Sequence, residues 1–337
     1  NKINLFILLK TVFDFRYYDS FFFKNIKLFY LVKYIEYVNP KFVINFIDND
    51  VRFYKLKKFF KKKTFISIQN GWRTEINDIF SQKEFLNDLR LSCDYYFVFN
   101  KHVGKKLSEK INSKFINFGS LKNNFYSISP IKKKSTILYI SQWSPNPEVI
   151  RYNGLNYDYA KISKNHENIL LNNIISYCNN YSLNFEILSK YEKKNLNFKK
   201  ELKYYKNIIL DKNWKFVPSQ KNIKNKNNYN LIDSYNIIVT SWSTLGYEAL
   251  ARNKRTAFFS LKYKFNSKEK NFGWPYKLPQ KGKFYSDNPS YNNVFNIFNY
   301  LIKTPNTSWL EQVNKYKKIV MSRHNGIGLI KKILEKT

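Results

Sequence analysis

Short apolar runs alternate with stretches of helical spacing along most of this chain, and no other feature constrains its fold as strongly. Residues 26–38 place apolar side chains at 28, 29, 31, 32 and 35, a helical spacing that stops before Pro40. The run 42–47 reads as a buried strand, followed by the polar turn Asp48-Asn49-Asp50 and a helix over 51–60. A strand at 64–69 precedes the loop 70–75, and strands at 95–99 and 114–118 flank a helix at 101–110. Strands and helices alternating at this length predict a parallel α/β sheet.

The segment 120–134 changes texture: it is polar, holds Pro130 and ends in three consecutive lysines. A lobe boundary is expected there. Beyond it a second α/β series predicts strands at 136–141, 184–188, 215–218, 236–240 and 255–260. Helices are predicted at 167–178, 195–206, 229–234, 244–252, 291–303, 307–320 and from 326 onward. The stretch 142–165, with Pro145 and Pro147, and the lysine-rich stretch 220–228 read as loops. The expected organisation is a Rossmann-like lobe over 1–130, a second over 131–305, and closing helices over 306–337. A length of 337 residues suits two such lobes of about 150 residues each. The chain opens on Asn1 rather than methionine, so the first strand of the first lobe is expected to lie upstream of it. Two parallel-sheet lobes in series bind ligands at the carboxyl ends of their strands, which makes the cleft between them the expected site.

The net charge is +35. Nucleic acid, an anionic membrane surface and phosphorylated substrates all fit such a charge. So does a genome rich in A and T, because Lys, Asn, Ile, Phe and Tyr dominate the chain. With no recognisable nucleic-acid motif, no specific nucleic-acid partner is expected, whereas peripheral contact with an anionic membrane is. No run approaches the roughly 18–20 uncharged apolar residues of a membrane span. Two cysteines, Cys93 and Cys178, make no disulfide framework and no metal spacing, which reads as a reducing cytosol. The three histidines are widely scattered, so no metal site is expected.

Five places carry candidate chemistry. In Thr240-Ser241-Trp242-Ser243-Thr244-Leu245-Gly246-Tyr247-Glu248 an apolar strand runs into hydroxyl residues and a helix begins at once. Helix-start N–H groups with the Ser243 and Thr244 hydroxyls suit phosphate oxygens, Gly246 permits a close approach, and Glu248 suits ribose or sugar hydroxyls. The same residues also describe an ordinary N-cap. In Gln69-Asn70-Gly71-Trp72-Arg73-Thr74-Glu75, Arg73 suits a phosphate and Glu75 a general base, or the pair is a local ion pair on a surface turn. Asp48 ends a strand and is a second candidate base, or the cap of the next helix. His102 opens a helix, as a base or as a structural residue. The loop Asn271-Phe272-Gly273-Trp274-Pro275 offers aromatic faces for a base or sugar, or for core packing.

Taken together, the chain resembles the surface carbohydrate biosynthesis proteins of bacteria, which are related to GT-B-fold glycosyltransferases. The resemblance rests on Phe46-Ile47-Asp48-Asn49, Ile68-Gln69-Asn70-Gly71-Trp72-Arg73, Asp94-Tyr95-Tyr96-Phe97-Val98-Phe99, Ile140-Ser141-Gln142, Ser243-Thr244-Leu245-Gly246-Tyr247-Glu248-Ala249-Leu250-Ala251 and Phe272-Gly273-Trp274-Pro275, in that order. It implies an α/β, GT-B-like fold of two Rossmann-like lobes whose parallel sheets face a central cleft. It also implies a cytoplasmic enzyme, at the inner face of the cell membrane, that moves a sugar from a nucleotide-sugar co-substrate to a glycan or lipid-linked glycan without a further cofactor. The donor side would comprise Ser141, Gln142, Ser241, Ser243, Thr244, Leu245, Gly246 and Glu248. Asn49, Gln69, Asn70, Gly71, Arg73 and His102 would face the acceptor or the phosphates, with Asp48 or Glu75 as base. Trp242 stands where related chains carry an acid. A sugar-nucleotide 2-epimerase or a polyol-phosphate transferase of the same fold, and a non-catalytic carbohydrate- or polyanion-binding protein, are the alternatives.

Overall fold

A computed structural model describes residues 3–14, 25–75, 78–82, 85, 91–145, 149–152, 155–220, 227–260 and 272–336. Helices α1 (Leu5–Val12) and α2 (Ile26–Val38) lead into β1 (Phe42–Asn45), α3 (Val51–Leu56), β2 (Thr64–Ile68), β3 (Leu91–Val98), α4 (Lys101–Ser108) and β4 (Ile111–Asn117). Strands β1 to β4 pair in chain order and are all parallel. After α5 (Leu121–Phe125) the second lobe begins with β5 (Lys133–Ile140), the antiparallel hairpin β6 (Val149–Tyr152) and β7 (Leu155–Asp158), and α6 (Tyr159–Asn180). It continues through β8 (Asn184–Leu188), α7 (Leu196–Ile208), β9 (Lys215–Val217), α8 (Asn228–Asp233), β10 (Tyr235–Thr240), α9 (Thr244–Ala251), β11 (Arg255–Phe259) and β12 (Tyr285–Ser286). Helices α10 (Tyr291–Lys303), α11 (Asn306–Lys317) and α12 (Gly328–Lys336) finish the chain.

The second sheet has the order β12-β11-β10-β5-β8-β9, and its pairs are parallel. The chain moves outward from β5 to β8 and β9, then returns to the other side of β5 at β10. Strand order therefore reverses between β5 and β10, and a ligand crevice belongs at their carboxyl ends. Both strands are buried on both faces: Ile137, Leu138, Tyr139 and Ile140 in β5, and Ile237, Ile238 and Val239 in β10. Each such side chain contributes about 1.5–3 kcal/mol by leaving water.

The structure differs from the expected elements where caps and polar turns outweigh hydrophobic period. The stretch 142–165 is not one loop: it holds the β6–β7 hairpin, and α6 begins at Tyr159 rather than near Glu167. Asp158 caps that helix, its carboxylate accepting from the Lys161 N–H at 3.0 Å. The first two turns carry few apolar residues, so no helical period announces them. The helix expected over 51–60 shortens to Val51–Leu56 and tightens into a 3₁₀ turn. Of the loop expected at 220–228, residues 221–226 lie outside the described residues.

The lobes are stitched together by exchanged tryptophans. Trp72, from the first lobe, belongs to the core of the second and stacks on Tyr247 at 3.7 Å with a 7° interplanar angle. Trp274, from the second lobe, belongs to the core of the first and meets Phe80 edge-on at 5.1 Å. The loop 272–275 thus serves core packing rather than offering open aromatic faces. The chain's end returns as well: Ile330 of α12 packs with Ile66, Ile68, Phe97 and Phe118. Gly119 makes that return passable, with φ +77° and a position where a Cβ would lie 1.9 Å from the Ser322 carbonyl oxygen. Among the described residues, no helix is long and apolar enough to cross a membrane.

Candidate functional site

The carboxyl end of β10 runs through Ser241 and Trp242 into α9, which starts at the crevice. Ser243 occupies the cap position in extended backbone, yet its side chain makes no capping hydrogen bond. The first-turn N–H groups of α9 therefore lack the side-chain acceptor a cap residue usually supplies. Asn4, Asp50, Asn100, Ser120, Asp158, Asn195 and Asn227 do supply one to their own helices, whereas Asn25, Ser290 and Pro305, like Ser243, make no capping hydrogen bond; α9 differs from those three in starting where strand order reverses. The first lobe meets α9 here. The Trp72 N–H donates to Thr244 Oγ1 at 2.9 Å, and a Cβ on Gly71 would lie 3.8 Å from the same oxygen. Because Thr244 Oγ1 accepts from Trp72, its own proton remains available to a ligand.

Gly246 has a different task from the one its place near a phosphate site suggests. A Cβ there would lie 2.3 Å from Thr240 Cγ2, so glycine is what lets α9 lie against β10. Glu248 faces inward rather than toward ribose. Its carboxylate accepts from the Ser120 and Tyr229 hydroxyls and ties α9 to the cap of α5. Burial raises its pKa against those donors. Leu245 packs beside the cluster of Leu138, Ile140 and Ile238.

Across the crevice, most of the polar residues that follow β1 and β2 are structural. Asp48 is fully buried and accepts from Arg73 through both oxygens, from the Asn70 N–H at 3.1 Å and from the Tyr96 hydroxyl at 3.0 Å. Burial pushes its carboxyl up, and Arg73 pulls against that shift. It has no face left for an acceptor hydroxyl, so the base role expected of it falls away. Arg73 is itself buried and also donates to Asp78 at 3.0 Å, which withdraws it from a phosphate. Gln69 is consumed by the Phe99 N–H and the Gly71 carbonyl, both at 2.8 Å. Asn70 is exposed at the loop's tip, but its side-chain amide donates to the Phe46 carbonyl and accepts from Arg73 at 3.2 Å, and Asn49 is half-buried, its carbonyl accepting from Gln82 at 3.1 Å. Glu75 is half-buried and accepts from Trp274 Nε1 at 3.3 Å, so it lies at the lobe junction.

His102 lies apart from this cluster. It sits at the start of α4 against the Tyr276 ring, 4.6 Å between centroids, in a groove shared with Lys105, Lys106 and Lys277. Partial burial, with Lys101 and Lys105, lowers its pKa and favours the neutral ring. Burial pushes the Cys93 and Cys178 thiols up to about 12, which makes both poor nucleophiles.

Sequence reasoning overlooked a buried carboxylate pair beside β5. Glu167 accepts from the Tyr139 hydroxyl at 2.7 Å and the Tyr204 hydroxyl at 2.6 Å. Glu201 accepts from Ser141, Ser189 and the Lys190 N–H. Tyr205 joins the two through Ser141 at 2.7 Å, and Ser241 contacts Tyr139 at 3.3 Å. Ser141 and Ser241 thus brace the crevice floor instead of facing a ligand. A cleft of about 460 Å³ opens above them, walled by Gln142, Trp143, Lys161, Lys164, Glu167 and Tyr204. A signal was present: Glu167 precedes Leu170, Leu171 and Ile174 on one helical stripe, and Glu201 precedes Tyr205 and Ile208 on another.

Burial raises both carboxyls above their ordinary value of 4.5, against their hydroxyl and N–H donors. A raised carboxyl binds its proton more tightly in the folded chain than in the unfolded one. Its contribution is therefore complete below pH 4.5 and is lost as pH rises through the folded pKa. The melting temperature should fall over that interval, and Glu167→Gln with Glu201→Gln should flatten the fall. Parallel pH profiles for wild type and double variant would show that these carboxyls do not hold the proton.

A family model described as "putative O-antigen biosynthesis protein" matches residues 66–337. No curated protein sequence matches the chain. Among solved structures, the chain is similar to the UDP-GlcNAc 2-epimerase from Methanocaldococcus jannaschii, at 10% identity and a TM-score of 0.54, covering 92% of this chain and 81% of that one. It is also similar to the pneumococcal O-GlcNAc transferase GtfA in complex with UDP and GlcNAc, at 11% identity and a TM-score of 0.50, covering 92% of this chain and 58% of that one. At such identities the likeness is one of fold, the two-lobed α/β architecture of GT-B proteins. The match over most of the chain, with the fold and the crevice in place, puts this chain in the O-antigen biosynthesis protein family.

Proposed function

We propose that the chain transfers a sugar from a nucleotide-sugar donor to a growing surface glycan, with the donor's phosphates seated on the amino end of α9. The observation that carries this reading is an uncapped helix start at the point where strand order reverses, facing the first lobe. There the α9 N–H groups with the Ser243 and Thr244 hydroxyls stabilise the charge that develops on the leaving phosphate. Gln142 and the cleft beside Trp143 take another part of the donor. Of the two carboxylates expected as base, Glu75 is the one at the lobe junction, and it takes the proton of the acceptor hydroxyl as the new glycosidic bond forms. The helix donors and the basic surface balance the donor's charge, so the reaction needs no further cofactor. Membership of an O-antigen family supports a glycan acceptor; a lipid-linked one would be presented at the cytoplasmic face of the membrane.

The test is incubation with nucleotide sugars, with and without an acceptor glycan. Nucleoside phosphate should be released only when the acceptor is present. Conversion of the sugar nucleotide without acceptor would make the chain an epimerase instead, and no turnover with any donor would make it a binding protein.

A further inference from the structure

Away from the crevice, the first lobe carries an apolar surface bordered by lysines. On α1, Leu5 is 66% exposed, Phe6 52% and Leu9 47%, while Tyr37 and Val38 at the end of α2 are 59% and 50% exposed. These side chains form one patch. Phe6 meets Tyr37 edge-on at 5.8 Å, and Lys10 Nζ lies 4.5 Å from the Phe6 ring and 5.9 Å from that of Tyr37. From Val38 the chain runs directly into a groove of about 670 Å³ lined by Asn39, Pro40, Lys41, Lys58, Lys61 and Lys62, with no carboxylate among its lining residues. The groove lies at the amino ends of β1 and β2, where Phe42 pairs with Thr64, whereas Asp48 and Asn70 follow the carboxyl ends of the same strands.

We propose that this face docks on an anionic lipid bilayer, with headgroup phosphates in the lysine groove and Phe6, Leu9 and Val38 in the interfacial layer. The charge matches: the chain carries +35 overall, and a single apolar anchor gives stable attachment only when a basic patch adds to it. A nucleic acid would use the lysines but gain nothing from burying Leu and Val side chains beside them. Docking at the amino ends of the strands leaves the crevice open to a lipid-borne acceptor.

Sedimentation with vesicles tests this without any reference to catalysis. The protein should pellet with vesicles of equal parts phosphatidylcholine and phosphatidylglycerol and stay in solution with phosphatidylcholine alone. Lys58→Ala, Lys61→Ala and Lys62→Ala together should weaken that binding on the order of 100-fold. Phe6→Ser with Leu9→Ser should weaken it roughly tenfold or more. All five side chains are exposed, so the melting temperature of either variant should stay near that of the wild type. Absence of binding to the mixed vesicles overturns the proposal. So does wild-type vesicle binding by the Phe6/Leu9 variant together with displacement by duplex DNA, which would make the face a general polyanion site. A change of oligomeric state in that variant, with vesicle binding intact, would show that a second copy covers the face and would overturn it too.

Discussion

Arg73→Leu is expected to lower the free energy of unfolding by about 3–5 kcal/mol. The guanidinium holds two buried carboxylates at once, with Nε on Asp48 at 2.9 Å and Nη1 on Asp78 at 3.0 Å. Without it, Asp48 keeps only the Asn70 N–H and the Tyr96 hydroxyl, and the cost of burying its charge goes uncompensated. The damage spreads, because Asp78 also accepts from the Thr74 N–H at 3.1 Å and caps the turn that begins at Ile79. A double variant, Arg73→Leu with Asp48→Leu, should recover part of the loss, since removing both members of a buried pair costs less than removing one. Urea unfolding of the three proteins measures this. A single variant within about 1 kcal/mol of wild type would mean that Asp48 is buried neutral at little cost.

Ser243→Ala with Thr244→Ala is expected to cut turnover on the order of 10²–10³-fold, the scale of losing a preorganised donor to a developing anion. Stability should change little. Ser243 makes no capping bond, and Thr244 offers the fold one acceptor, to the Trp72 N–H, worth about 1 kcal/mol. The loss should appear in kcat as well as in KM, because the charge is greatest in the transition state. Turnover within about twofold of wild type would place the donor phosphates away from α9.

The architecture was legible where burial is two-sided or one face of a helix is fully apolar. β8 appears at Asn184–Leu188 and α10 at Tyr291–Lys303, as their apolar spacing predicts. Periodicity said nothing of the first turns of α6, where Asp158 caps the helix start. At the site, the chemistry of each residue was legible but its direction was not. Asp48 and Arg73 look like a base and a phosphate ligand when read alone. They are 25 positions apart, and only the pairing of β1 with β2 brings their ends together and turns them into one buried clamp. Glu248 likewise meets Ser120 across 128 positions. Ser243 and Thr244 stay at the crevice because a residue at a helix start presents its hydroxyl beyond the end of the strand before it. The tryptophan exchange was beyond sequence reasoning, since each ring completes a core that belongs to the other lobe.

In the proposed donor site a nucleotide binds where β10 gives way to α9. Thermal unfolding in the presence of UDP, GDP, CMP, CDP, ADP and dTDP, with a polyanion as control, tests it most directly, because a ligand of the folded state raises the melting temperature by mass action. One nucleotide should raise it selectively, and Ser243→Ala with Thr244→Ala should abolish the rise. A rise with the polyanion and with none of the nucleotides would contradict it.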